Sequence, residues 1–187
     1  MATLDPSEID RYWLNVRAVH SVALPGATVK DIRNWSDRGL VDVAEQNPGT
    51  NTPRRYSLAS ALQISVLRQF TWAGSPLTLA KKLADYATAR LRDLVVAGTD
   101  FGFSLEAEKR ECIFVYGITD GDKVQGVLMT PAEVADELTR TLSLAPMICA
   151  PETRLFWLDE LIRVQVERYA EQRDELLERA SREEATE

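Results

Sequence analysis

Residues 28–39, Thr-Val-Lys-Asp-Ile-Arg-Asn-Trp-Ser-Asp-Arg-Gly, are bounded at both ends by local chemistry, and this limits what the first half of the chain can become. Thr28 with Asp31 three residues on forms a capping box in which Asp replaces the preferred Glu. Pro25-Gly26 breaks whatever precedes it, and Gly39 supplies the left-handed residue that ends a helix. The helix between carries Val29, Ile32 and Trp35 or Ser36 along one side, while Lys30, Arg33, Asn34 and Asp37 point elsewhere. Upstream, Ile9, Tyr12 or Trp13, Val16, Val19 and Val22 or Ala23 recur at three- and four-residue steps, which predicts a helix over 7–24. Two helices joined by a short glycine-containing turn are the helix-turn-helix signature, although an ordinary helical hairpin shares it. The following residues favour the first reading. Leu40 to Val43 alternate like a strand, EQNPGTNTP is turn chemistry, and Arg54-Arg55-Tyr56 returns as a second strand. A β-hairpin directly after a helix-turn-helix is a wing, and its arginines and tyrosine suit phosphate contacts.

The remainder predicts more helix and a little sheet. Helices are expected over 57–73, opened by Ser57, and from Pro76 through the PLTLAKKLADYATARLRDLVV run. The glycine-rich stretch 98–104 is the expected domain boundary. Beyond it, 111–118 and 123–129 read as strands joined by Thr119-Asp120-Gly121-Asp122, followed by a helix at 131–143 capped by Thr130 and a short extended segment at 146–151. Residues 154–183 read as one long charged helix. In it Leu155, Ile162, Tyr169 and Leu176 recur every seven residues with Leu158 three after the first, the pattern of a partner-facing seam. Gln165, Gln172 and Arg179 weaken that seam toward its end. The expected fold is mainly α with small β. It comprises a winged helix-turn-helix domain at 1–97, a small strand–strand–helix unit at 98–150, and a long helix at 151–187 for dimerisation or partner binding.

The net charge of −7 disfavours a generic nucleic-acid binder, but its distribution is uneven. Residues 1–97 hold 12 Lys and Arg against 9 Asp and Glu, or +3, whereas residues 98–187 hold 10 against 20, or −10. Within 17–92 the balance is 11 against 5, or +6, so any DNA contact must come from a local basic face. No apolar stretch is long enough for a bilayer, and the start lacks the basic and apolar regions of a secretory signal. Cys112 and Cys149 have no CxxC spacing, which points to a reducing, cytoplasmic setting without a structural metal. An enzyme finds few parts here. His20 is the only histidine, Asp120-Gly-Asp122 lacks the other ligands of a calcium loop, and no phosphate cradle of the GxxxxGK or GxGxxG type is present. No catalytic residue, metal or cofactor is expected.

Over residues 22–83 the order Gly26-Ala27-Thr28, Asp31-Ile32-Arg33-Asn34-Trp35, Gly39-Leu40, Arg54-Arg55-Tyr56-Ser57 and Gly74-Ser75-Pro76-Leu77 resembles the MerR-type winged helix-turn-helix family. The resemblance covers about a third of the chain and implies that the helix from Thr28 to Arg38 enters the major groove of double-stranded DNA. Thr28, Lys30 and Arg33 would face bases or nearby phosphates, with Asn34 beside them. Trp35 would pack in the core or touch the backbone, and Arg54, Arg55 and Tyr56 would contact phosphates from the wing. Three positions depart from the family pattern: Asp31 puts a carboxylate near the DNA face, Asn34 replaces an aromatic, and Ser60 replaces a common Asp. The family's mercury-type cysteines are absent too, which argues against a metal-sensing regulator. The resemblance implies a transcriptional regulator acting as a homodimer, since dimers read two half-sites. Two alternatives share the module: a phage-type protein (terminase small subunit or excisionase) that recruits partners through its acidic C-terminal region, and a winged-helix protein-interaction module.

Overall fold

The computed structural model describes residues 4–23, 26–44, 53–98, 113–119, 123–130, 132–136, 139 and 153–184. The fold is mainly helical and forms two compact units, Met1–Gly102 with Ile162–Glu187, and Phe103–Leu161. The wing loop at 45–52, the boundary stretch at 99–104, the turn at 120–122, the segment at 146–151 and both cysteines lie outside the described residues.

In the first unit the expected helix over 7–24 is instead two. Helix α1 (Pro6–Ile9) is capped by Asp5, whose side chain accepts from Ser7 N at 2.8 Å. Helix α2 (Val16–Val22) is capped by Asn15 Oδ1, which accepts from Arg17 N at 2.9 Å and Ala18 N at 3.0 Å. Leu14 lies between them because its backbone is used elsewhere: Tyr56 N donates to Leu14 O at 2.8 Å and Leu14 N to Tyr56 O at 3.0 Å. A pairing partner 42 positions away leaves no trace in helical periodicity.

Helix α3 (Val29–Asp37) starts and stops where its sequence requires. It ends in a Schellman motif, with Leu40 N donating to Trp35 O at 2.9 Å and Gly39 N to Ser36 O at 3.1 Å while Gly39 sits at φ 65°. Helix α4 (Leu58–Trp72) is the centre of the core. Every residue from Leu58 to Leu67 is buried, and Phe70 as well, as befits a helix apolar around its circumference. Ser57 and Ser60 form its capping box, and Ser60 Oγ also donates to Asp42 O at 2.5 Å. Helix α5 (Leu77–Val96) packs along α4 and buries Ala80, Leu83, Ala84, Ala87, Leu91 and Leu94. Alanines on this stripe let the two backbones approach closely.

In the second unit, strands β1 (Ile113–Thr119) and β2 (Lys123–Met129) fall where expected, and a third strand, β3 (Thr153–Trp157), completes an antiparallel sheet of order β2-β1-β3. Val115 stands opposite Val127 on one side and Leu155 on the other. Residues 132–136 are helical, led by Thr130 and Glu133 in a reciprocal capping box. The long C-terminal helix, α6, therefore runs from Leu158 to Glu184 rather than from 154. Leu155 is strand, so the seven-residue repeat that begins there is not a continuous helical seam. The expected boundary at 151 also moves, because α6 from Ile162 onward belongs with the N-terminal unit. There Ile162, Val166 and Tyr169 are fully buried.

Candidate nucleic-acid interface

Helix α3 presents two unlike faces. Ile32, Trp35 and Ser36 are buried, while Lys30, Arg33, Asn34, Asp37 and Arg38 are exposed. Ser36 is accommodated because its Oγ donates to Ile32 O at 2.8 Å and lies 3.3 Å from Tyr56 Oη. At the amino end Thr28 and Asp31 satisfy each other fully. Asp31 N donates to Thr28 Oγ1 at 3.1 Å, and Asp31 Oδ2 accepts from Thr28 N at 2.9 Å and from Thr28 Oγ1 at 2.8 Å. These bonds hold the Asp31 carboxyl below the usual aspartate range, the Thr28 amide contributing most and the Arg68 and Lys30 charges adding a little. Asp31 is thus a cap whose acceptor oxygen is already used.

The second carboxylate of α3 is also occupied. Asp37 is ion-paired with Arg54, whose Nη1 donates to Arg33 O at 3.2 Å. With one acid bound to the cap and the other to Arg54, the remaining charges on α3 are Lys30, Arg33 and Arg38. None of these three is ion-paired among the described residues.

The expected wing strands at 40–43 and 54–56 are not formed as strands; the segment bearing Arg54–Tyr56 makes an isolated bridge to Leu14 and a single backbone bond to Ala44. Ala44 N donates to Arg55 O at 3.0 Å, and Tyr56 pairs with Leu14 as described. Arg55 is exposed and its Nη1 donates to Trp13 O at 3.2 Å. One residue expected to contact phosphate is placed otherwise: Tyr56 is 0% exposed and is a core side chain. Trp35, at 7%, takes the core position, one of its two expected places. Tyr56 is held inward by its paired backbone bonds to Leu14 and lies 3.3 Å from Ser36 Oγ, and on α3 Trp35 lies one turn from Ile32.

One pair of residues at this surface escaped the sequence reading. On α4, Arg68 Cζ lies 5.7 Å from the ring centre of Trp72, a cation–π contact, and Trp72 is 75% exposed. The Arg68 guanidinium lies over Gly26, with Nε 2.8 Å from the point a Cβ would occupy, and Gly26 sits at φ 116°, a conformation that favours glycine. The i, i+4 spacing of Arg68 and Trp72 is legible in sequence. Their position beside the turn that leads into α3 is not.

Among the described residues no cluster of His, Cys, Asp and Glu could hold a metal ion, and no helix is long and apolar enough to cross a membrane. No protein-family model matches the chain, and no curated protein is similar enough to count as a match.

Proposed function

We propose that the chain is a sequence-specific double-stranded DNA-binding protein of the MerR-like winged helix-turn-helix type, a transcriptional regulator with α3 in the major groove and the segment at Arg54–Arg55 on the backbone. The observation that carries this reading is the charge arrangement of α3: both its acids are engaged, while Lys30, Arg33 and Arg38 are exposed without an ion-pair partner among the described residues. Lys30 and Arg33 are suited to guanine edges and phosphates, and Asn34 can pair with adenine. Thr28, already bonded to Asp31, positions the amino end of the helix rather than reading bases. Arg55 and Arg68 add phosphate contacts from either side. Each neutralised phosphate releases a counterion, so binding weakens steeply with salt.

The module acts as a homodimer on two half-sites about 34–36 Å apart in this reading. The excess of acid in residues 98–187 favours recruitment of a protein partner by that half, as in the phage-type alternative. A mobility-shift assay with genomic fragments tests the core of the proposal. Wild type should retain a subset of fragments in a salt-sensitive manner, and Arg33→Ala and Arg54→Ala/Arg55→Ala should weaken retention. Absence of salt-sensitive retention would count against DNA binding, and variants that bind as wild type would overturn the assignment of the surface.

A further inference from the structure

Helices α3 and α4 each end in a glycine-based Schellman motif, with Gly39 and Gly74 both at positive φ. Helix α2 does not. Its C-cap, Ala23, is extended at φ −60° and ψ 150°, and two carbonyls at this end are capped from far along the chain. Gln165 Nε2 donates to Val22 O at 3.2 Å, and Arg168 Nη1 donates to Ala23 O at 3.3 Å. One position further on α6, Tyr169 Oη accepts from Trp13 Nε1 at 2.6 Å and lies 3.1 Å from Glu8 Oε2, with the Trp13 and Tyr169 rings edge to face at 5.5 Å.

These three side chains reach the two structures that flank α3. Ala23 precedes the turn that begins α3 at Thr28. Trp13, held through its indole by Tyr169, uses its backbone to bind Tyr56 and Arg55: Trp13 N donates to Tyr56 O at 3.1 Å, and Trp13 O accepts from Arg55 Nη1 at 3.2 Å. Among the described residues Gln165 Oε1 is buried with no hydrogen-bond partner, which offsets part of what its burial contributes to the attachment. Helix α6 also follows β3 with no intervening linker, Trp157 preceding Leu158.

We propose that the Gln165–Tyr169 segment of α6 is a docking lever: its attachment to α2 and Trp13 holds both α3 and the Arg54–Tyr56 segment in the DNA-contacting arrangement, and its release lowers DNA affinity. Its link to DNA rests on the function proposed above; its mechanical part does not. Gln165, Arg168 and Tyr169 are positioning residues that act through Val22, Ala23 and Trp13. A ligand or partner that binds the undocked state better shifts the population toward it.

Hydrogen exchange and DNA titration on the full chain test the lever together. Gln165→Met/Arg168→Met keeps much of the side-chain bulk and removes both caps, and Tyr169→Phe removes a single oxygen. The expected result is faster amide exchange at residues 16–35 and 53–57, unchanged exchange in α4 and α5, and DNA binding weakened about tenfold, within the usual range for coupled sites. Exchange that rises only within α6, or uniformly across the unit, overturns the proposal, as does unaltered DNA affinity. If the double variant shows no cooperative melt, Tyr169→Phe decides alone. If the exchange pattern appears but wild type retains no DNA, the DNA reading falls, and with it the affinity half of the proposal; the mechanical half stands.

Discussion

At the scale of single residues, Asp31 resolves a conflict between two demands. A carboxylate on a helix proposed to face DNA would repel phosphate, yet a helix start needs an acceptor. Here the carboxylate is bound to Thr28 N and Oγ1, and it sits at the amino end of the helix, where the dipole favours negative charge. Replacing Asp31 with Ala should cost about 0.5–2 kcal/mol, the usual value of a lost cap, measured by urea denaturation at neutral pH. The sign with pH follows from the lowered ionisation. Folding stabilises the charged form, so the contribution is present above the unfolded aspartate value, near pH 3.9, and is lost as pH falls below it. The difference between wild type and Asp31→Ala should shrink toward pH 3; a difference independent of pH would contradict the capping role. Tyr169 runs the other way. Burial, aided by the Glu8 charge, pushes its hydroxyl up to about 12 against the opposing Trp13 hydrogen bond. Its contribution is complete below the unfolded tyrosine value, near 10, and is lost as pH rises from there toward about 12. Stability measured across that interval should fall more for wild type than for Tyr169→Phe.

At the scale of elements, local signals were read well and distant ones were not. The limits of α3, α4 and β2 follow from Thr28, Ser57, the two Schellman glycines and strand alternation, all of which act within a few residues. The split of α1 from α2 was invisible because its cause, the Leu14–Tyr56 pairing, joins distant segments. The apolar stripe through Ile162 and Tyr169 is buried in the chain's own N-terminal unit, and Gln165, an interruption of the seven-residue pattern, is buried there and bonded to Val22 O. Of the residues implicated in DNA contact, Thr28, Lys30, Arg33, Asn34 and Arg55 are exposed, Arg54 is half-buried, Trp35 takes its core alternative, and Tyr56 is core. The family pattern that implies a Tyr56 contact does not say which side of a segment is inside. Two substitutions test elements directly. Gly39→Ala forces a Cβ into φ 65° and should destabilise by about 1–2 kcal/mol, with α3 fraying first in hydrogen exchange. Ile32→Ala, at a site 0% exposed, should cost about 2–5 kcal/mol in the same denaturation assay.

At the scale of the whole molecule, α6 completes the N-terminal unit. Fully burying one Ile, Val or Tyr side chain contributes on the order of 2 kcal/mol, so removing Ile162, Val166 and Tyr169 together takes away a large share of a small domain's stability. A chain ending at Leu161 should therefore lose its cooperative thermal transition, while one ending at Arg173 should keep it, as calorimetry will show. Light scattering on the Arg173 truncation then tests the dimer. A mass that falls to the monomer assigns self-association to the end of α6, and an unchanged dimer mass places it elsewhere. The charge division, +6 over residues 17–92 against −10 over 98–187, predicts that DNA is met through residues 17–92, because the acidic remainder repels phosphate.

The most direct measurement is the salt dependence of DNA binding, by fluorescence anisotropy on a fragment retained from genomic DNA. The logarithm of the association constant should fall linearly with the logarithm of salt concentration for wild type. Arg33→Ala should make the slope shallower by about one, and Lys30→Ala/Arg33→Ala by about two, at preserved melting temperature. A wild-type slope near zero, or slopes unchanged by these substitutions, would contradict the assignment of α3 as the helix that meets DNA.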